Sequence, residues 1–195
     1  MRLLTAILVA LVLGGCATPH VPLTPVSFSG AVSVTSAKTA KVVLSSGAVR
    51  GSGSTTLMPA GSILIPVSSG PHPHLQFNVE DQKIFVDSFR SELQRLRIVR
   101  AANGEASGER ADLNIQLIFA QTFHNPNMQQ YTLDVAMEIV GGKKPFLRQY
   151  RVISSEGDSW WEKMNTDASE GKAKAGQKLM QRLIPDVAAY VAENP

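Results

Sequence analysis

Three consecutive segments in the second half of the chain alternate between apolar and polar residues. Leu113, Ile115, Leu117 and Phe119 alternate with Asn114 and Gln116, and Tyr131, Leu133, Val135, Met137 and Ile139 alternate with Thr132, Asp134 and Glu138. In the third segment Phe146, Tyr150 and Val152 share a face, with Arg148 the odd member. Successive side chains of a strand point to opposite faces, so this pattern demands a sheet with one face buried and the other in water. The links, Asn125-Pro126-Asn127 and Gly141-Gly142-Lys143, are short and suit antiparallel hairpins.

The layer that covers such a sheet is legible on either side of it. Phe85, Phe89, Leu93 and Leu96 recur at helical spacing after Asn78, a good N-cap, with Glu80 and Asp81 in the first turn. Near the end of the chain Gly176, Leu179, Met180, Leu183, Val187 and Val191 form a second stripe. It is capped by Thr166 or Asp167, with Asp167 and Glu170 as a capping box, and Pro185 predicts a kink. Ile63 to Val67 reads as an edge strand because of Pro66, and Ile98-Val99 as a brief one. Together these predict an α+β domain over 61–195: a mainly antiparallel sheet of four to five strands with two helices packed on one face. Residues 26–60 are rich in Ser and Gly, with β-like pieces at Val26 to Val34 and Lys41 to Leu44 and a loop from Gly47 to Thr56. They either add strands or become ordered only on a partner.

The other end of the chain concerns targeting. Arg2 precedes an apolar run from Leu3 to Leu13, which is too short for a spanning helix of about 20 residues. Leu13-Gly14-Gly15-Cys16 follows, and these parts together make a secretory signal. The last four residues resemble the lipobox of bacterial lipoproteins. That resemblance implies removal of 1–15, lipid on the Cys16 sulfur and a mature chain of 180 of the 195 residues. Cys16 is the single cysteine, as an acylated thiol would explain. Ala17, in place of Asp, implies sorting to the outer membrane with the domain facing the periplasm. Pro19, Pro22 and Pro25 make 16–25 a tether reaching roughly 25 Å at about 3.1 Å per residue.

The order of elements resembles that of the small α/β domains of several envelope lipoproteins: those of polysaccharide export, curli secretion, peptidoglycan-synthase activation and lipid-transport auxiliaries. The residues that carry it are 63–67, 85–96, 111–119, 131–140, 146–153 and 174–191. The likeness is one of pattern and implies a fold rather than a function. The tether, the small domain and the lack of a catalytic centre suit an accessory role in an envelope transport, secretion or assembly complex, with a glycan- or lipid-binding periplasmic module as the alternative.

Catalytic groups do not assemble into a motif. His72-Pro73-His74 offers two imidazoles, where a zinc site needs three or four ligands. His124 has no nucleophile beside it, and Gly51-Ser52-Gly53-Ser54 lacks the lysine of a phosphate loop. No enzyme, metal or cofactor is expected. Removing Arg2 with the leader lowers the net charge from +3 to +2, too weak an imbalance for a nucleic-acid partner. Contact residues are better candidates. Trp160 and Trp161 precede the last helix: either one is buried and the other partly exposed as an anchor for a partner or a membrane interface, or both plug the end of the core. Arg90, Arg95, Arg97 and Arg100 lie on the first helix and its exit, facing an acidic partner, a glycan or lipid headgroups, or forming a solvated face. The polar sheet face (Asn114, Gln116, Thr132, Asp134, Glu138, Gln149, Arg151) suits an envelope protein or a second copy of the chain.

Overall fold

A computed structural model describes residues 20–51, 54–60, 63–69, 75–104, 110–125 and 128–195. The expected leader, Cys16 and His72 to His74 lie outside the described residues. In chain order the elements are β1 (Thr39–Gly51), β2 (Ser54–Ala60), β3 (Ile63–Ser69), α1 (Val79–Arg95), β4 (Ala101–Asn103), β5 (Leu113–Asn125), β6 (Gln130–Val140), β7 (Phe146–Ile153), α2 (Trp160–Asn165) and α3 (Ala168–Glu193).

Five strands make one sheet in the order β4-β1-β5-β6-β7. β5, β6 and β7 form the expected antiparallel meander, with Leu117 opposite Met137 and Val135 opposite Tyr150. α1 lies against β1 and β4, α3 lies against β6 and β7, and the two helices touch. The fold is α+β: a largely antiparallel five-stranded sheet with its long helices on one face. Every inward residue of β6 is buried, as are Leu113, Ile115, Leu117 and Phe119 of β5. Aromatic rings fill the layer between: Phe85 meets Phe119 edge-on at 5.9 Å, and Phe77 stacks on Phe119 at 6.0 Å.

The strand that completes this sheet is not the one the sequence favours. Ile63–Ser69 pairs only with β2, in a two-stranded ribbon of its own. The sheet takes β1 instead and places it between β4 and β5, parallel to both. Ala40 and Val42 are fully buried there, opposite Leu113 and Ile115. A parallel neighbour needs a crossover connection, and α1 supplies it between β1 and β4. β1 also runs to Gly51, through the segment expected as a loop. Ile98 and Val99 are buried in the turn after α1 rather than in a strand, which starts at Ala101. Pro185 lies inside α3 without ending it. Arg148, the odd residue of its face, is accommodated because Asp186 of α3 accepts from its guanidinium at 2.9 Å.

Both hairpin and helix ends show why particular residues stand where they do. Gly141 has φ +123, and a Cβ there would lie 2.1 Å from the Asp112 carbonyl oxygen, so only glycine fits. α1 closes with a Schellman arrangement: the Ile98 amide donates to the Leu93 carbonyl at 3.0 Å, and the Arg97 amide to Gln94 at 2.9 Å. Leu93 and Ile98, the two ends of that motif, are both buried. The motif needs a left-handed residue at its centre, and that residue is Arg97, φ 57, where glycine is usual. Left-handed backbone costs a side-chain-bearing residue about 1–2 kcal/mol. Part of that is offset because glycine loosens the unfolded chain. Arg97→Gly is therefore expected to raise stability by about 0.5–1 kcal/mol in urea denaturation. A lower midpoint for the variant would show that the guanidinium makes a stabilising contact that outweighs the strain.

Candidate functional site

The site is built around residues 20–28, where the chain entering the domain is held down. Two carboxylates and a hydroxyl stand on one face of α1 at Asp81, Glu92 and, between them, Ser88, spaced seven and four residues apart. The Leu23 amide donates to Asp81 at 2.7 Å, the Val26 amide to Ser88 at 3.3 Å and the Phe28 amide to Glu92 at 3.0 Å. The periods match. Eleven helical residues rise about 16 Å, and five extended residues span about 16 Å, so a strap can run beside the helix with its amides in step. Leu23, Val26 and Phe28 turn into the core. The tether expected over 16–25 is thus corrected: from His20 onward the chain is packed into the domain, because its apolar residues and its amides both find partners on α1.

At the head of the strap lies a buried ion pair. Asp81 and Lys172, both with fully buried side chains, meet at 2.8 Å. Asp81 also accepts from the Asn78 amide at 3.0 Å, and His20 faces it at 3.3 Å. Lys172 donates a second hydrogen bond to the Val21 carbonyl at 2.6 Å. Burial pushes the Lys172 ammonium pKa down, and Asp81 restores part of it. Gly171 makes the approach feasible, since a Cβ there would lie 2.3 Å from the Gln129 carbonyl oxygen. One pair therefore joins α1, α3 and the strap.

The arginines divide. Arg90 bridges Asp87 and the Val42 carbonyl, and Arg95 binds Glu92 and the Phe28 carbonyl, so both serve the fold. Arg97 and Arg100 are exposed, at the end of α1 and the start of β4. They share the far end of the domain with Lys38, Arg110, Lys143 and Lys144, beside an open cleft of about 740 Å³ lined by Lys38, Lys41, Arg110, Asp112, Asn114 and Gly141. Asp112 accepts from the Thr39 amide and hydroxyl, which hold its carboxyl below the usual range, and its single negative charge is outnumbered by Lys38, Lys41 and Arg110 around it.

Trp160 and Trp161 correct the expectation that at least one of the two rings is buried. They begin a short helix, α2, which has no buried residue. Both are exposed, 62% and 69%, and touch each other edge-on at 4.8 Å. The signal for that helix stood in the sequence: Ser159 and Glu162 form a reciprocal capping box around the tryptophans. His124 is buried, stacked on Tyr131 at 4.5 Å with its Nε2 at 3.1 Å from Gln129 Oε1.

The face of the sheet away from the helices is polar and open, as the alternation implied. Asn114, Gln149 and Arg151 are exposed, and Arg151 faces Asp134 across the strands at 3.5 Å. A bulge between Phe119 and Gln121 leaves Ala120 exposed beside them. At the β7 edge, Lys178 and Arg182 of α3 donate to the carbonyls of Ser154 and Arg151. Cations over an edge discourage strand addition there.

No family model matches the chain, and no curated protein matches it. Among solved structures it is similar to protein XCC0632 of Xanthomonas campestris, described with the family label DUF330, at 11% identity and a TM-score of 0.47 over 90% of this chain and 95% of that one. It is also similar to the hypothetical protein CT253 of Chlamydia trachomatis, at 14% identity and a TM-score of 0.41 over 81% of this chain and 100% of that one. No helix among the described residues is long and apolar enough to cross a membrane.

Two predictions follow from the strap. Lys172→Met leaves the Asp81 carboxylate buried without its ammonium, and such a break costs about 3–5 kcal/mol. The double variant Asp81→Asn, Lys172→Met is expected to be more stable than the single one; a single-variant loss below about 1 kcal/mol in urea would count against the pair's role. The second concerns acid. Arg95 holds the Glu92 carboxyl below its ordinary 4.5, assisted by the Phe28 amide and opposed by burial. A carboxyl depressed in the fold stabilises fully above its unfolded pKa and loses that contribution as pH falls through its folded one. The stability gap between wild type and Glu92→Gln should stay level above about pH 5 and shrink below pH 4.5; a gap independent of pH down to 3 would refute the linkage.

Proposed function

We propose that this chain is an outer-membrane lipoprotein, anchored through acylated Cys16, whose domain serves as a non-catalytic accessory subunit of an envelope transport, secretion or assembly complex. The observation that carries the reading is the strap. From His20 onward the chain is built into the fold, so only four peptide steps, at most about 14 Å, separate the anchor cysteine from the folded domain. A domain held that closely is placed to work on a membrane-bound partner rather than to roam the periplasm.

Two surfaces are offered to such a partner. One is the polar sheet face around Asp134, Gln149 and Arg151, and the other is the cationic end carrying Arg97 and Arg100. A glycan- or lipid-binding module would instead want an enclosed apolar chamber between helices and sheet. That layer is filled by Phe77, Phe85, Phe89 and Phe119, each at most 1% exposed.

Cys16→Ser is expected to abolish metabolic labelling by palmitate and to release the protein from outer-membrane fractions. Photoreactive groups at Gln149 and Arg97 in the lipidated protein are expected to capture one reproducible envelope protein, identified by mass spectrometry. Adducts to glycan or lipid alone at both positions would replace the accessory reading with the binding-module one.

A further inference from the structure

The large apolar residues left exposed are unevenly placed. Among the residues whose exposure is described, Val79, Met128, Trp160, Trp161 and Met164 gather at the end where the strap begins, and Val140 and Leu147 lie at the other. Val79 opens α1 directly after Asn78, whose side-chain Nδ2 faces the His20 ring at 3.4 Å. Met128 sits in the β5–β6 turn, next to the Gln129 carbonyl that abuts Gly171 of α3. α2 joins α3 at Asp167, five residues or about 7.5 Å of helix before Lys172, which grips Val21.

We infer that this end is a lipid-contacting surface: with Cys16 acylated, Trp160, Trp161 and Met164 enter the headgroup region of the leaflet that holds the acyl chains. The inference rests on the lipid-anchor reading and adds a second contact to it. Lengths decide which end faces the bilayer. The leash from Cys16 to His20 reaches at most about 14 Å, whereas the thirteen residues of β5 span roughly 40 Å. The cationic end therefore stays off the membrane, and the tryptophan end lies against it. Tryptophan rings favour the zone between headgroups and acyl chains, where an apolar ring and a polar N–H are both satisfied. Glu80, Glu162 and Asp167 border the patch, so apolar burial drives the contact rather than attraction to anionic lipid, and phosphatidylcholine suffices.

The chain reports on this surface by itself, because its two tryptophans are both in the patch and its one cysteine is Cys16. The polypeptide from Cys16 to Pro195, which contains every described residue, is coupled through that thiol to a maleimide lipid in phosphatidylcholine vesicles. Tryptophan emission is expected to shift to the blue and to fall about twofold when the lipid is brominated near the top of its acyl chains. Met164→Asp should weaken the quenching, while Leu147→Asp, at the other end, should leave it unchanged. Emission of the coupled protein identical to that of the free chain in buffer overturns the inference. So does blue emission without lipid in a chain that sediments as a dimer, since a second copy then covers the patch. Chemical coupling replaces cellular acylation, so this result and the palmitate labelling of Cys16 can fail independently.

Discussion

An ammonium and a carboxylate, both out of water, meet 2.8 Å apart where the two long helices begin, and the arrangement of the domain turns on that pair. Its effective desolvation cost is several kcal/mol per ion, so it persists only because the surrounding groups share the charge. Asp81 is ringed by the Leu23 and Asn78 amides and His20, and Lys172 by Asp81 and the Val21 carbonyl. These groups come from three pieces of chain, the strap, the start of α1 and the start of α3. The pair thus fixes where α3 starts relative to α1, and where the strap enters relative to both. An apolar contact of similar size would hold the helices together without specifying that entry point.

The meander and both long helices were legible because their periods are carried by side chains. Leu113 to Phe119, Tyr131 to Ile139 and the stripe through Phe85 and Phe89 each point to one face at a fixed spacing. β1 was less visible, because among the residues of known burial, 39–45, only Ala40 and Val42 are fully buried, and Ser and Gly residues interrupt its valines. What makes it a central strand is pairing on both edges, and backbone pairing leaves little trace in composition. The strap was hidden for the same reason, since main-chain amides hold it as much as side chains do. Prolines at 19, 22 and 25 suggested a free tether, whereas an extended chain is what docking along α1 requires. Nothing in the local pattern around Lys172 or Glu92 marks either as more than a polar residue of a helix. Only the tertiary structure reveals that each also serves a distant amide or carbonyl.

The result is a molecule with unlike ends. One end collects exposed tryptophan and methionine, together with Glu80, Glu162 and Asp167. The other collects Lys38, Arg97, Arg100, Arg110, Lys143 and Lys144, which outnumber Asp112 among them. The helices run between them, so a partner meeting the cationic end and a surface meeting the apolar one can be engaged together without competition.

The strap also imposes an order of events on the making of the domain. It is the first part of the domain to be synthesised, yet its clasp is Lys172, 151 residues downstream of Val21. Contacts of such long sequence separation form late, because the intervening chain must be closed first. The segment next to the proposed acylation motif can therefore be locked down only when nearly the whole polypeptide is available. An enzyme acting at that motif would have its interval of access set by the length of the chain, with no separate device to keep the site open.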